Sequence, residues 1–449
     1  PTVAPGSCRA EWDGRDEGGA LLSPGPVDVT ATVERNGQSA SAGARVEIVH
    51  LGVREVRLGG AGREALLYAR MGGVRYGYYE LAADSVSWRI APDGGETPGG
   101  NALALADGTA RVRPAPWTDP LSPPLDAASP DGRERDTFNL PTAWVAGSTP
   151  ELTAVLSTGD TDPSEVEVRV VAPEGLALLD AGVVSEGAEA PFESTASPVP
   201  GVGRYDVTWR WRFEARVPGG EWVPIEGSFA TEHRFYGLVA PPIFDYADVP
   251  HRAWVDVVDR VAEWVGGEAS DADGVASRIV EGVFYELGLQ YDNVAGASHY
   301  TDYPGGWEGA SFELSRFTDF ANGTIINCSD AASVVSTYSN MVGIDLRYHI
   351  IEHQWLDRFE LNYLYAIGRG FAASPFLSGR SAFRYHAVVG PPDTRIFDAT
   401  LAIDGDGTPS APPHELLLVQ GLSQMDYLFG LSPEWNDVNV FVDEKVRVR

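Results

Sequence analysis

Cysteine is almost missing from this chain: 449 residues hold two, Cys8 and Cys328. A disulfide-stapled scaffold is therefore excluded. Lysine is scarcer still. Lys445 stands alone, and the remaining basic residues are arginine. That bias fits coding from a GC-rich genome, and it leaves almost no side-chain amine on the protein. Long apolar runs are lacking too. The densest stretch is Leu416–Val419, far short of the ~18–20 residues a membrane helix needs. Basic charge is outnumbered, 33 Lys+Arg against 64 Asp+Glu, for a net charge of -31. Such a surface repels phosphates and argues against a nucleic-acid partner. It also suits a salt-adapted protein.

Apolar residues make up 43% and aromatics 10%, enough to build real cores and to exclude global disorder. At roughly 100–200 residues per domain, the length points to two to four domains. The first 24 residues, with Cys8 in a Pro/Gly-rich setting, read as a flexible segment. They carry no signal peptide, as expected of a processed or trimmed form.

From 25 to 113 the chain reads as strand and turn. Val27, Val29, Ala31 and Val33 alternate with polar neighbours. Val46–Val49, Val53–Leu58 and Ala65–Ala69 follow, separated by glycine-containing turns. Residues 114–135 form a linker, with prolines at 114, 116, 120, 123, 124 and 130 that cannot donate to a sheet. A second β block spans 136–240. In it Val166, Val168 and Val170 alternate with charged residues, and the Tyr205–Val217 stretch alternates without a break. One apolar and one wet face indicate antiparallel sandwiches. The expectation is two immunoglobulin-like β-sandwich domains without the antibody cysteine pair.

After Pro241–Pro242 the period changes. Trp254, Val257, Val258, Val261 and Val265 recur at helical spacing, with Pro250 suited to a helix's first position. Val275, Ile279, Val283 and Leu287 do the same, and Gly288 reads as a C-cap glycine. The aromatic stretch Tyr291–Phe320 reads as a loop. Ser329–Val342 reads as a helix stopped by Gly343, and Ile344–Ile351 as a strand. Residues 241–449 are thus expected to be an α+β domain.

Cys328 opens that helical stretch. A sulfur at a helix N-terminus faces unpaired N–H groups and the positive end of the macrodipole, which favours the nucleophilic thiolate. The same amides can hold an oxyanion. Phe383–Thr400 reads as a β-hairpin. Centring its turn on Pro392 sets His386 opposite Asp398, and opposed residues share a face with Cβ atoms ~4.5–5.5 Å apart. Asp398 would then orient the imidazole and stabilise its protonated form, as the third member of a triad does.

The order Cys328, His386, Asp398 resembles the transglutaminase-like superfamily, which is built on a papain-like core. The resemblance rests on Asn327-Cys328-Ser329-Asp330 running through Met341-Val342-Gly343-Ile344. It rests equally on Tyr385-His386-Ala387-Val388, and on Phe397-Asp398-Ala399-Thr400 as the family's Asp-x-Thr. It covers about 245–404. Three positions depart from common family choices: Ser329 for an aromatic, Val388 for tryptophan and Ala399 for proline. The triad is intact. The resemblance implies acyl transfer from a carboxamide or peptide carbonyl through a thioester, resolved by an amine or by water. It also implies a second oxyanion donor upstream of the cysteine, with Trp307, Gln290 and Asn327 as candidates. Two alternatives stand beside it: a hydrolytic cysteine peptidase or amidase on the same fold, and a non-catalytic adhesion or scaffold protein with an inactive domain. The last predicts a buried Cys328 and no His386–Asp398 contact.

Other motifs read more blandly. His349, Glu352 and His353 would suit a metal only on a helix, and they fall on an expected strand. Asp404-Gly405-Asp406-Gly407 and Asp271-Ala272-Asp273-Gly274 resemble calcium-loop fragments but lack the downstream glutamate. They read as acidic turns. No cofactor is expected, with calcium worth testing as an additive. The sequons Asn322-Gly323-Thr324 and Asn327-Cys328-Ser329 flank or overlap the nucleophile. A glycan there would block it, so a bacterial, extracytoplasmic (secreted or periplasmic) protein is expected. Its partners would be a protein or peptide substrate, and a partner protein or surface glycan on the sandwiches.

Overall fold

The computed structural model describes residues 25–35, 38–48, 52–59, 63–64, 66–68, 79–80, 86–89, 102–104, 110–112, 142–157, 167–180, 182–185, 187–216, 219–224, 229–243, 253–267, 269–302, 310–369, 376, 381–392, 395–406, 415–442 and 446–448. The N-terminal segment with Cys8, the proline-rich linker and Trp307 lie outside the described residues.

Gly25–Arg35 and Gln38–Ile48 form an antiparallel hairpin. Beyond it, the strands on either side of the proline-rich segment do not keep to themselves. A five-stranded sheet runs Leu176–Leu178, Glu189–Ser194, Glu151–Ser157, Gly52–Gly59, Val86–Arg89. Gly52–Gly59 thus pairs with Glu151–Ser157 across the linker. An eight-stranded sheet likewise joins Arg63–Glu64 to Thr142–Val145, and Ala110–Val112 to Phe229–Leu238. The expectation of two separate sandwiches, 25–113 and 136–240, is corrected to shared sheets. Val53, Val56 and Leu58 lie in one buried cluster with Trp144, Leu152, Phe192, Trp209, Trp211 and Phe235. The physical reason is that alternation identifies a strand and its inner face, while the partner is chosen by surfaces far away in sequence. The inner faces themselves match the reading. Val168 and Val170 are buried beside exposed Glu167, and Trp209, Trp211 and Phe213 are buried along Gly203–Arg216.

The C-terminal part is α+β, and no described helix is long and apolar enough to cross a membrane. Val255–Val265 buries Val255, Val257, Val258, Val261 and Val265. It begins five residues after Pro250, so that proline does not open it. Trp254 holds the N-cap position without a side-chain cap. Asp271 caps the next helix, Ala272–Glu281, by accepting from Gly274 N. A π-helical turn, Gly282–Glu286, follows, and Gly288 closes the segment at φ 66. Cys328–Met341 is buried on every side, which explains its small side chains: larger ones would not fit between the helices and the sheet. Against it lies a six-stranded antiparallel sheet, ordered Tyr365–Ala366, Arg395–Asp404, His386–Gly390, Arg347–His353, Val438–Val442, with Leu416–Ser423 also on Arg395–Asp404.

Sandwich and α+β part are continuous. Ala143, Val202, Tyr236 and Leu238 belong to the α+β core. Val239 N donates to Val342 O and Ile243 N to Asn340 O, so the sandwich's exit strand terminates the central helix. Gly343 has φ 86, and a Cβ there would strike the Ala240 carbonyl. This position therefore needs glycine twice over, for the backbone angle and for the close approach.

The Tyr291–Phe320 stretch is not a plain loop. It contains short strands Gln290–Tyr291, Thr301–Asp302 and Ser311–Phe312 and the helix Leu314–Thr318. In the core Tyr300 packs edge-on against Phe317, which Phe312 meets at a tilt.

Candidate active site

Asn327 precedes Cys328 in extended conformation and caps the helix. Its Oδ1 accepts from Asp330 N at 3.1 Å, and Asp330 reaches back to Asn327 N, completing a capping box. Cys328 is thereby the first helical residue, 4% exposed. Asp330 does more than cap. Fully buried, it accepts from Ser298 Oγ at 2.7 Å and from the backbone N–H groups of His299, Tyr300 and Thr301 at 2.8, 2.9 and 2.7 Å. One carboxylate thus fastens the 298–301 segment to the helix that carries Cys328.

His386 and Asp398 meet as expected, but by a different register. The pair recorded between their strands is Val389↔Phe397, which moves the turn's centre one residue beyond Pro392. Asp398 is then diagonal to His386 instead of opposite. A two-residue offset of the partner preserves the face, so the contact survives: His386 Nε2 lies 2.9 Å from Asp398 Oδ2. Both residues are buried, and Phe383 stacks on the imidazole at 5.1 Å.

The Asp-x-Thr motif has a local purpose. The pairing of Arg395–Asp404 with Leu416–Ser423 breaks between Asp398 and Ala402. In that bulge Asp398 Oδ1 accepts from Thr400 N at 2.6 Å and Leu401 N at 3.3 Å. Its other oxygen takes a second donor that the sequence reading missed. Tyr427 OH donates to Oδ2 at 2.7 Å. The carboxylate therefore accepts four hydrogen bonds with no part in solvent contact beyond 2%.

Burial alone would lower the His386 pKa. The charge and hydrogen bond of Asp398, followed by Cys328, outweigh it and push it up to about 10. Nε2 is taken by Asp398, and Nδ1 is buried with no other hydrogen-bonding partner. Nδ1 is the nitrogen left to exchange a proton with sulfur. Three phenols also feel Cys328: Tyr291, Tyr385 and, last among its causes, Tyr427. Tyr291 and Tyr385 are both raised, first by burial and next by the charge of Cys328. They stay protonated and able to donate. Tyr385 OH sits 3.1 Å from Ser329 Oγ.

The three oxyanion candidates fare differently. Gln290 is exposed, and strand alternation sends it away from the face used by Tyr291. Asn327 has its amide committed, with Oδ1 in the cap and Nδ2 donating to Gly296 O at 3.0 Å. Asn327 is therefore not free for substrate. Trp307 lies outside the described residues. Tyr291, one residue from Gln290, is buried and near enough to Cys328 to feel its charge. The register of Gln290–Tyr291 on Ile325–Ile326, which a sequence does not display, decides between them.

His349 and His353 lie on the Arg347–His353 strand, not a helix. His353 Nδ1 accepts from Trp355 N and Leu356 N. His349 is buried, and burial with Arg347 lowers it to about 4. Asp404 accepts from Asp406 N in an Asx turn. Among the described residues no cluster of His, Cys, Asp and Glu is placed to hold a metal.

These histidines set opposite limits on stability. Folded His386 keeps its proton up to about pH 10 against an ordinary 6.5. Its contribution is whole below 6.5 and is lost as pH rises through 10. Folded His349 and His233 stay neutral down to about 4 and 3. Protonation of the unfolded chain therefore drains stability as pH falls below 6.5. Urea midpoints are expected to peak between pH 6 and 7 and fall on both sides, with the alkaline fall flattened by His386→Asn. A midpoint still rising at pH 9 would contradict this.

No family model matches the chain, and no curated protein does. Among solved structures it is similar to red sea bream transglutaminase, at 13% identity and a TM-score of 0.29. That likeness covers 58% of this chain and 47% of the other, so the chain spans about half the length of that transglutaminase. A conjugative transposon lipoprotein from Bacteroides eggerthii DSM 20697 matches at 17% identity and a TM-score of 0.13, over 21% of this chain and 88% of the other. Scores this low carry no argument about chemistry, which rests on the side-chain geometry.

Proposed function

We propose that the C-terminal part is a transglutaminase-like cysteine acyltransferase acting on a carboxamide or peptide carbonyl. One observation carries the reading. A buried imidazole is held by a carboxylate on one nitrogen and has its other nitrogen left for a cysteine at a helix start.

In this reading His386 is already the imidazolium, its Nδ1 proton facing sulfur, and Cys328 attacks the carbonyl carbon as the thiolate of that ion pair. The resulting oxyanion is met by the Cys328 backbone N–H, which as a first-turn amide has no intrahelical acceptor. A neutral phenol, Tyr291 or Tyr385, supplies the second donor. The imidazolium then protonates the departing amine as the C–N bond breaks, leaving a thioester. An incoming amine, or water, gives its proton to His386 and its lone pair to the acyl carbon, the C–S bond breaks, and the thiolate–imidazolium pair is restored.

The test uses dimethylcasein as acyl donor and dansylcadaverine as amine. Incorporation that disappears in Cys328→Ala supports transfer; cysteine-dependent ammonia or peptide release without incorporation supports a hydrolase. A specific observation favours a second reading. With Cys328 4% exposed and His386 at 0%, the scaffold alternative is met halfway, though its other requirement, a missing His386–Asp398 contact, is not. Iodoacetamide labelling of Cys8→Ser protein separates these readings. Labelling of Cys328 only after unfolding, together with no turnover, would leave the scaffold reading standing.

A further inference from the structure

Tyr427 is far from Asp398 in sequence, is fully buried, and spends its hydroxyl on the oxygen that His386 also uses. Its helix, Gln424–Leu431, is pinned at both ends. Ser423 Oγ accepts from Asp426 N at the start. At the finish Asn362, 6% exposed, donates its Nδ2 to Phe429 O and Gly430 O and its N to Leu431 O. Gly430 lies against Ile403, in the strand that carries Asp398. A surface helix needing only cover would not require a buried amide to lock its last carbonyls. The anchoring fixes where the phenol points.

We propose that Tyr427 is a positioning residue: by donating to the Asp398 oxygen that faces His386, it orients the carboxylate and weakens its hold on the imidazole proton. This rests on the acyl-transfer reading of the same site. A carboxylate oxygen shared between two donors gives each less of its charge. Without the phenol, Asp398 would grip the imidazolium harder, and the proton needed by the leaving amine would be released less readily. The groups facing the pair are Cys328 from the central helix, Tyr385 beside His386, Tyr291 from the neighbouring short strand and Tyr427 itself. Of these Tyr427 alone bonds the carboxylate.

The experiment follows the His386 ring by NMR of 15N-histidine-labelled protein in a Cys328→Ala background. There the sulfur's contribution is gone, and the titration falls at lower pH. His386→Asn assigns the signal. Tyr427→Phe is expected to raise the midpoint by about half to one pH unit, and to add nothing once Asp398→Asn is present. No shift, a downward shift, or a shift that persists with Asp398→Asn would overturn the proposal. Tyr427→Met, which also lacks the hydroxyl, serves if the phenylalanine protein does not fold. None of these readouts involves turnover. A failed amine-transfer assay with an intact midpoint shift would therefore strike the acyl-transfer reading alone.

Discussion

Asp398→Asn is expected to cut Cys328-dependent acyl transfer by about 10⁴-fold, the scale seen when a triad carboxylate becomes an amide. An asparagine can orient an imidazole in principle, so the expectation depends on the local donors. One oxygen of Asp398 faces the backbone N–H groups of Thr400 and Leu401. An NH₂ there would confront two donors that cannot turn away. The amide therefore settles with its NH₂ in the other place, opposite Tyr427 and His386. A phenol hydroxyl can rotate and accept. The imidazole can accept only by giving up its Nε2 proton, which puts the proton on Nδ1, facing sulfur. In that tautomer His386 cannot take the thiol proton. Transfer rates with dansylcadaverine, alongside circular dichroism to confirm folding, test the argument. Activity within tenfold of the parent would refute it.

Asp330→Ala is expected to cost on the order of 4–6 kcal/mol, enough to unfold the C-terminal part near 37 °C. Three backbone N–H groups, one hydroxyl and one cap converge on this carboxylate. Alanine orphans the N–H groups of His299, Tyr300 and Asn327, while Thr301 N and Ser298 Oγ keep only each other and the Thr301 carbonyl, at about 1–3 kcal/mol for each unsatisfied donor, against total stabilities of about 5–15 kcal/mol. Asp330→Asn should recover part of the loss, because one oxygen can still serve one side. Thermal unfolding measures the cost. Hydrogen exchange at 298–301 locates it, since those amides should lose protection first. A melting temperature within about 2 °C of the parent would show that the segment is held by other contacts.

How much of this was legible depends on the distance over which each feature is decided. The helix start at Cys328 and its stop at Gly343 are local, written in a capping residue and a glycine at φ 86. The pairing of His386 with Asp398 is legible for a subtler reason: the turn centres one residue beyond Pro392, yet parity alone decides the face. Gln290 and Tyr291 show the opposite case, where a one-residue difference reverses the side: Gln290 is exposed and Tyr291 buried. Tyr427 left no trace, because its helix is brought to Asp398 by pairing across a bulge. The two-sandwich expectation failed on the same ground, since strand partners across a long linker are a property of surfaces, not of spacing.

The junction at 238–243 bears on ancestry. Cutting there would bare Tyr236 and Leu238, strip hydrogen bonds from Val342 and Asn340, and empty the space that Gly343 leaves for Ala240. A recombination event that moved residues 241–449 alone would deliver the Cys328–Met341 helix with an unfinished end. The sandwich and the triad are therefore expected to travel between genomes as one heritable piece, and to diversify together.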